Sequence, residues 1–374
     1  MLQKKGSEMA SVVEMTSATM TTELTPVQHD IIKAAAAAPS PDNNQPWKFV
    51  CQEDSIQVFF DKTRKLESDV DYMFDMTGIG GAVENAIIAA SHHDLVAEPV
   101  WLGNVEKPDL KLPVVELKLT SGGSPDPLNS VVEERCTCRK PYSKQPLETA
   151  ILDSLEAAAV GRFPQAQIDW ITDPRAKQRF GNVVAAMDSV RFRIPECHRE
   201  LYKQLRFSRN EVEQTRDGLD VRTLELPPGV ATMLKGLRSW EAMQAVHRLR
   251  LTPLLTIPSK VAVQKSAAIA VVSISTASIE SYMHGGRAIE RLWLAATALD
   301  LSMHPLGSPA IFLPQAKERP QFRSLIERSQ QETFELLPRL GNRTMQLAFR
   351  VGRSKPPTAR SLRREVSEVL GCPK

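Results

Sequence analysis

Cysteines, aromatic residues and unbalanced charge are all scarce in this sequence. Five cysteines among 374 residues, scattered and odd in number, exclude a disulfide framework and indicate a reducing compartment. Seven histidines occur without an HExxH or a compact ligand set, and the CxC of Cys136 and Cys138 has no second Cys/His pair nearby, so no metal centre is expected. A GxSxG elbow, a Walker loop and a full GxGxxG after a strand are all missing, which argues against hydrolase and dinucleotide-fold chemistry. The 47 basic and 44 acidic residues leave a formal charge of +3, too near balance to imply nucleic acid. No segment reaches membrane-spanning length without charge, and residues 1–25 interrupt every apolar run with Ser, Thr or Glu, unlike a signal peptide. The expectation is a cytoplasmic protein with neither nucleic acid nor a membrane as partner.

What is present is ample interior: 42% hydrophobic and 24% charged residues suit a soluble globular protein of one large or two ordinary domains. After a mobile leader over 1–23, the pattern predicts a helix over 26–38, opened by Thr25 and Pro26 and stopped by Pro39 and Pro41. Two short strands follow, over 47–51 and 55–60, then a helix over 78–94 and a strand over 114–119. Residues 121–128 read as a linker, and helices are predicted over 150–158, 177–192 and 231–248. Further strands are predicted over 168–171, 267–275, 309–313 and 345–351. The fold class is α+β.

The order of elements begins again after the linker. RAIERLWLAATALDL at 287–301 matches GAVENAIIAASHHDL at 81–95, with Ala82/Ala288, Glu84/Glu290, Ala89/Ala295 and Asp94/Asp300 among the identities. The offset is 123 at Trp47/Trp170 but 206 at this helix, so the second half, 129–355, carries an extra block of roughly 80 residues relative to the first, 24–120. The part over about 195–260 is polar, with a DG turn at Asp217-Gly218, and fits either a lid over a site or an extra helical pair on the surface. A basic tail, 356–374, ends the chain.

Four segments carry the chemistry. PSPDNNQPW at 39–47 offers short polar side chains, Ser40 and Asn43 among them, on a loop leaving a helix. ERCTCRKPY offers Arg135 and Arg139 four residues apart, with the Thr137 hydroxyl between, a set suited to bidentate phosphate contact. HPLGS at 304–308 is a Pro/Gly turn, and TARSLRR at 358–364 adds Arg360, Arg363 and Arg364. Local readings stay open beside these: an Asx-turn at Asn43, solvent ion pairs for the arginines, and a plain loop at 304–308. Cationic neighbours lower a thiol pKa, so a redox cysteine at 136 or 138 is another alternative.

Taken together these segments resemble the nitroreductase superfamily, small α+β flavoproteins that hold FMN at a dimer interface. The resemblance spans roughly 24–364 and is nearest to the long, duplicated Acg-type branch. It implies a tandem-duplicated nitroreductase-like fold with helices around antiparallel or mixed sheets, in which one chain forms its own pseudo-dimer. A monomer then suffices, though further dimerisation is open. It implies FMN held by Arg135, Thr137, Arg139, Ser40, Asn43, Pro305, Gly307, Ser308, Arg360 and Arg363, with the backbone at Gly307-Ser308 toward the flavin N5. NADH or NADPH would be the transient hydride donor and a small planar aromatic, a nitro compound or quinone, the acceptor; no protein side chain is required as a catalyst. The first half lacks an arginine segment before its helix, and the second has GRFPQAQIDW where PSxxNxQPW would stand, so one flavin site is expected. An FMN-storage or flavin-sensing protein with a covered site is the alternative.

Overall fold

The computed structural model describes residues 24–102 and 112–373. The leader expected over 1–23 lies outside them. Helix α1 (Pro26–Ala36) starts as its sequence dictates: the Thr25 hydroxyl accepts from the Gln28 N–H, and the Gln28 side chain accepts from the Thr25 N–H, both at 3.1 Å. Strands β1 (Trp47–Cys51) and β2 (Ser55–Phe60) form a hairpin around a three-residue turn. Helix α2 (Met73–Ser91) begins earlier than the apolar pattern suggests, because the Asp69 carboxylate accepts from the N–H groups of Phe74 and Asp75 at 2.9 and 2.8 Å. β3 (Leu95–Trp101), missed in the sequence because it carries Pro99 and half-exposed side chains, is an edge strand that pairs with β4 (Val115–Ser121). The sheet order is β1-β2-β4-β3, all antiparallel.

The second half begins with α3 (Thr149–Val160) and β5 (Ala166–Ile171). A long excursion then intervenes before the next strand of this sheet. It comprises α4 (Pro174–Phe192), α5 (Pro195–Gln204), β6 (Leu205–Arg206), α6 (Arg209–Thr215), β7 (Leu219–Asp220), α7 (Val230–Gly236), α8 (Trp240–Arg248) and α9 (Thr252–Gln264). Residues 231–248 thus form two helices rather than one, because Ser239 starts a new one by accepting from the Ala242 N–H at 3.2 Å. The chain returns through β8 (Ala268–Ile274), α10 (Ile279–Ala298), β9 (Ser302–Leu306), α11 (Ser308–Phe312), α12 (Arg323–Leu336) and β10 (Thr344–Gly352), and ends in α13 (Val366–Val369). A strand expected over 309–313 is therefore helical: Pro309 has no N–H to give a sheet and sits in the first turn of α11, where none is needed.

The second sheet has the order β5-β8-β10-β9, again antiparallel throughout, so helix, two strands, helix and two strands recur with the same pairing. Where β1 and β2 are joined by a tight turn, β5 and β8 are separated by residues 172–267. Between the sheets α2 and α10 cross in close contact. A Cβ on Gly80 would lie 2.1 Å from the Met283 carbonyl oxygen, and one on Gly286 would lie 2.1 Å from the Thr77 carbonyl oxygen. Gly80 and Gly286 are 206 residues apart, as are Thr77 and Met283, so each contact is the image of the other.

Candidate functional site

All ten residues singled out in the sequence line one cavity of about 1220 Å³ between the two sheets and the excursion. α1 ends at its mouth, and the loop after it runs through left-handed backbone at Asp42, Asn43 and Gln45, held by the Ser40 hydroxyl accepting from the Gln45 N–H at 2.9 Å. The arginine segment lies beside β9: the Cys138 N–H donates to the Met303 carbonyl at 3.0 Å, which sets Arg139 next to His304.

Arg135 is buried. It donates to the Ala37 carbonyl at 2.8 Å at the C-terminus of α1, stacks 4.8 Å from the Trp293 ring, and lies 3.2 Å from the Glu290 carboxylate without an aligned hydrogen bond. Glu290 is 0% exposed, and burial raises its pKa against the pull of Arg135. Arg363 donates to Ala38, Ala37 and the Asn43 Oδ1 at 3.2, 3.3 and 2.9 Å; burial, reinforced by Arg135, pushes its pKa down to about 9. Arg139 reaches only the Thr223 carbonyl at 3.2 Å, and burial lowers its pKa too. Arg360 donates to the backbone of Glu133 and Arg135. Among the described residues Arg139, Arg350, Arg360 and Arg363 form no ion pair, and lysines and arginines outnumber carboxylates in the lining: Asp42, Glu133 and Glu365 pair with other cations, Asp188 accepts from Ser308, and Asp69 accepts from backbone N–H groups.

Two wall residues were not anticipated. Arg350, 2% exposed in β10, is the cross-strand partner of His304 and donates from Nε to His304 Nδ1 at 2.9 Å, with its guanidinium 4.1 Å from the Tyr142 ring. That bond leaves the ring proton on Nε2; burial, Arg139 and Arg350 hold His304 neutral, far below its ordinary pKa. The one signal in the sequence was a lone arginine in an otherwise apolar strand. Pro305 lies in β9 rather than in a turn, Gly307 follows, and Ser308 opens α11 with its hydroxyl on Asp188 Oδ1 at 2.6 Å.

The excursion covers the loop. Asn43 donates to the carbonyls of Gly218 and Leu362 at 3.2 and 3.1 Å, and the Gly218 N–H returns to the Asn43 carbonyl at 3.3 Å. The Asn43 amide thus links the loop to the excursion and to the basic tail, its Oδ1 accepting from Arg363. Asp217 bridges Arg64 and Arg206 at 2.8 and 2.6 Å; burial opposes its charge but these two cations prevail and lower its pKa. Leu219, Thr223, Leu224 and Leu226 then form part of the cavity wall. The Cys136 thiol disfavours the redox alternative: burial outweighs Arg360 and Arg135, so its pKa is raised.

No protein-family model matches this chain. An uncharacterised protein of Mycobacterium tuberculosis is 26% identical over 370 residues, covering 94% of this chain and 49% of the relative. The chain spans about half the length of that curated relative. Similar solved structures include an FMN-dependent nitroreductase of Mycobacterium smegmatis in complex with NADPH, at 14% identity over 64% of this chain and 94% of the other, with a TM-score of 0.35. An FMN- and NADPH-dependent nitroreductase of a Sphingopyxis strain matches at 12% identity over 65% and 97%, with a TM-score of 0.37. Oxidised iodotyrosine deiodinase, bound to FMN and 3-iodo-L-tyrosine, matches at 15% over 64% and 95%, with a TM-score of 0.34. Two of these neighbours are FMN-dependent nitroreductases and the third is bound to FMN; superpositions this loose add no weight to the site geometry.

Proposed function

We propose that this chain is an FMN-binding oxidoreductase of nitroreductase type, a tandem duplication whose two halves form one pseudo-dimer, nearest to the Acg-type branch. The observation that carries the reading is the convergence of Arg135, Arg139, Arg350, Arg360 and Arg363 on one large cavity, where among the described residues only Arg135 of the five lies against a carboxylate, that of Glu290. A buried cation is costly unless paired, and a phosphate monoester supplies the missing charge in the bidentate geometry that arginine favours. The repeated strand order and the mirrored Gly80/Gly286 contacts support the duplication.

In this reading Arg135, Arg139, Arg360 and Arg363 hold the anionic end and Thr137 adds a hydroxyl. His304, fixed by Arg350 as an Nε2–H donor, offers a neutral hydrogen bond to an electron-rich oxygen or nitrogen. The backbone at Gly307 and Ser308, anchored on α4 through Asp188, faces the same space. Asn43 braces the loop against the covering segment. When bound, FMN would supply hydride transfer at N5 between NADH or NADPH and an electron-poor aromatic, a nitro compound or quinone.

The covering segment supports a second reading, flavin storage or sensing, because it is tied to the loop at Asn43, Gln45 and Arg64. Anaerobic mixing of the FMN-loaded protein with NADH or NADPH separates the two. Rapid loss of the visible flavin absorption is the enzyme's result. A flavin that only dithionite reduces is the storage result, and a protein that retains no FMN ends both.

A further inference from the structure

The excursion holds a surface that the cavity does not explain. Of the ten large hydrophobic side chains exposed among the described residues, five fall between 233 and 257: Met233, Leu249, Leu251, Leu254 and Ile257. α9 has its faces reversed. Thr252 and Thr256 are buried, with Val263, while Leu254 and Ile257 are 58% and 48% exposed. At the corner between α8 and α9, Arg250 adopts a left-handed φ of 57°, and Leu249 beside it is 69% exposed. A sequence shaped only for water would have placed the threonines outside and the leucines inside.

The charge around this ridge is of one sign. Residues 229–265 contain six lysines and arginines and a single glutamate, an excess larger than the +3 of the whole chain. Arg248 and Arg250 flank Leu249 and are themselves exposed. A second copy docking symmetrically here would set these cations against their own images. An anionic lipid surface meets both halves of the pattern: its headgroups attract the arginines and its acyl boundary takes the leucines. No described helix is long and apolar enough to cross a membrane, but interfacial seating needs neither property.

We propose that the α8–α9 corner seats this protein on an anionic membrane surface through Leu249, Leu251, Leu254 and Ile257, with Arg248 and Arg250 on the headgroups. The inference is independent of what the cavity binds.

The test is sedimentation of the purified full chain with vesicles of phosphatidylcholine alone, or of equal parts phosphatidylcholine and phosphatidylglycerol. The chain should pellet with the mixed vesicles, much less with the neutral ones, and less as salt rises. Arg248→Gln with Arg250→Gln should weaken partition roughly thirtyfold. Leu254→Ser with Ile257→Ser should also abolish pelleting, at unchanged charge and unchanged far-ultraviolet circular dichroism. Leu254→Trp should show a blue-shifted emission component on addition of mixed vesicles. Failure to pellet, equal pelleting of the Leu254/Ile257 variant, or an unshifted Leu254→Trp spectrum would overturn the proposal. So would a solution dimer that the Leu254/Ile257 variant disperses, since the ridge would then belong to a second copy.

Discussion

Glu84 and Glu290 stand 206 residues apart at matching places on α2 and α10, and their surroundings are opposite. Glu84 accepts from Arg287 Nε and Arg291 Nη1 at 2.7 and 2.8 Å, and Arg291 also grips Asp126 at 2.9 Å. Two cations meet two carboxylates, and a cavity of about 570 Å³ lies beside them, less than half the volume of the first. At the places matching Arg287 and Arg291, the first half has Gly81 and Asn85. Nothing cationic on α2 reaches Glu290, so Arg135 does, and with Arg139, Arg360 and Arg363 it leaves the larger cavity rich in positive charge. Two side-chain differences on one repeated helix accompany the contrast between a smaller, neutralised site and a larger, cationic one.

The largest effect expected is on the cationic side. Replacing both Arg135 and Arg139 with Gln removes two charge-assisted contacts at about 1.5–3 kcal/mol each, so FMN affinity, read by fluorescence quenching, should fall by at least a hundredfold. Unchanged affinity would remove the arginine segment from the site. On the neutralised side, Glu84→Gln takes from Arg287 its carboxylate and leaves Arg291 with Asp126 alone, and should lower unfolding stability by about 3–5 kcal/mol in urea titration. A loss below about 1 kcal/mol would mean that water already neutralises them.

The symmetry of the helix crossing comes next. Gly80→Ala and Gly286→Ala should destabilise by about 1–3 kcal/mol and by similar amounts, because each Cβ would meet a backbone carbonyl at 2.1 Å. A large loss at one and none at the other would break the pairing of the halves. Asn85→Arg copies the neutralised side into the cationic one. The new guanidinium should compete with Arg135 for Glu290 and weaken FMN binding by roughly tenfold, about 1.4 kcal/mol, in the same quenching assay.

The smallest effect is a slope. Burial raises the Glu290 pKa above its unfolded value, so its ionisation cost is absent at low pH and grows as pH rises through the raised value. Without FMN, stability should therefore fall over that window, and Glu290→Gln should flatten the fall. An unaltered slope would place the titration elsewhere.

The parts of this site legible in the sequence are those that local chemistry specifies. A proline-bounded loop with short polar side chains and two arginines at a spacing of four carry their geometry with them, as does the Thr25 cap of α1. What escaped reading depends on partners far along the chain. His304 and Arg350 meet only because β9 and β10 pair in that register. Asn43 donates to Gly218, which lies 175 residues away. The Gly80/Gly286 contact was within reach, since the same offset of 206 that aligned the glutamates aligns the glycines. Its meaning required seeing two helices pressed together. β3 was hidden by Pro99, which an edge strand tolerates and a central strand does not.

Titrating the apo chain with FMN and counting the equivalence point tests the account most directly. One flavin per chain, lost in the Arg135/Arg139 variant and retained in Arg291→Asn, is the predicted result. Two flavins per chain, or none, would contradict it.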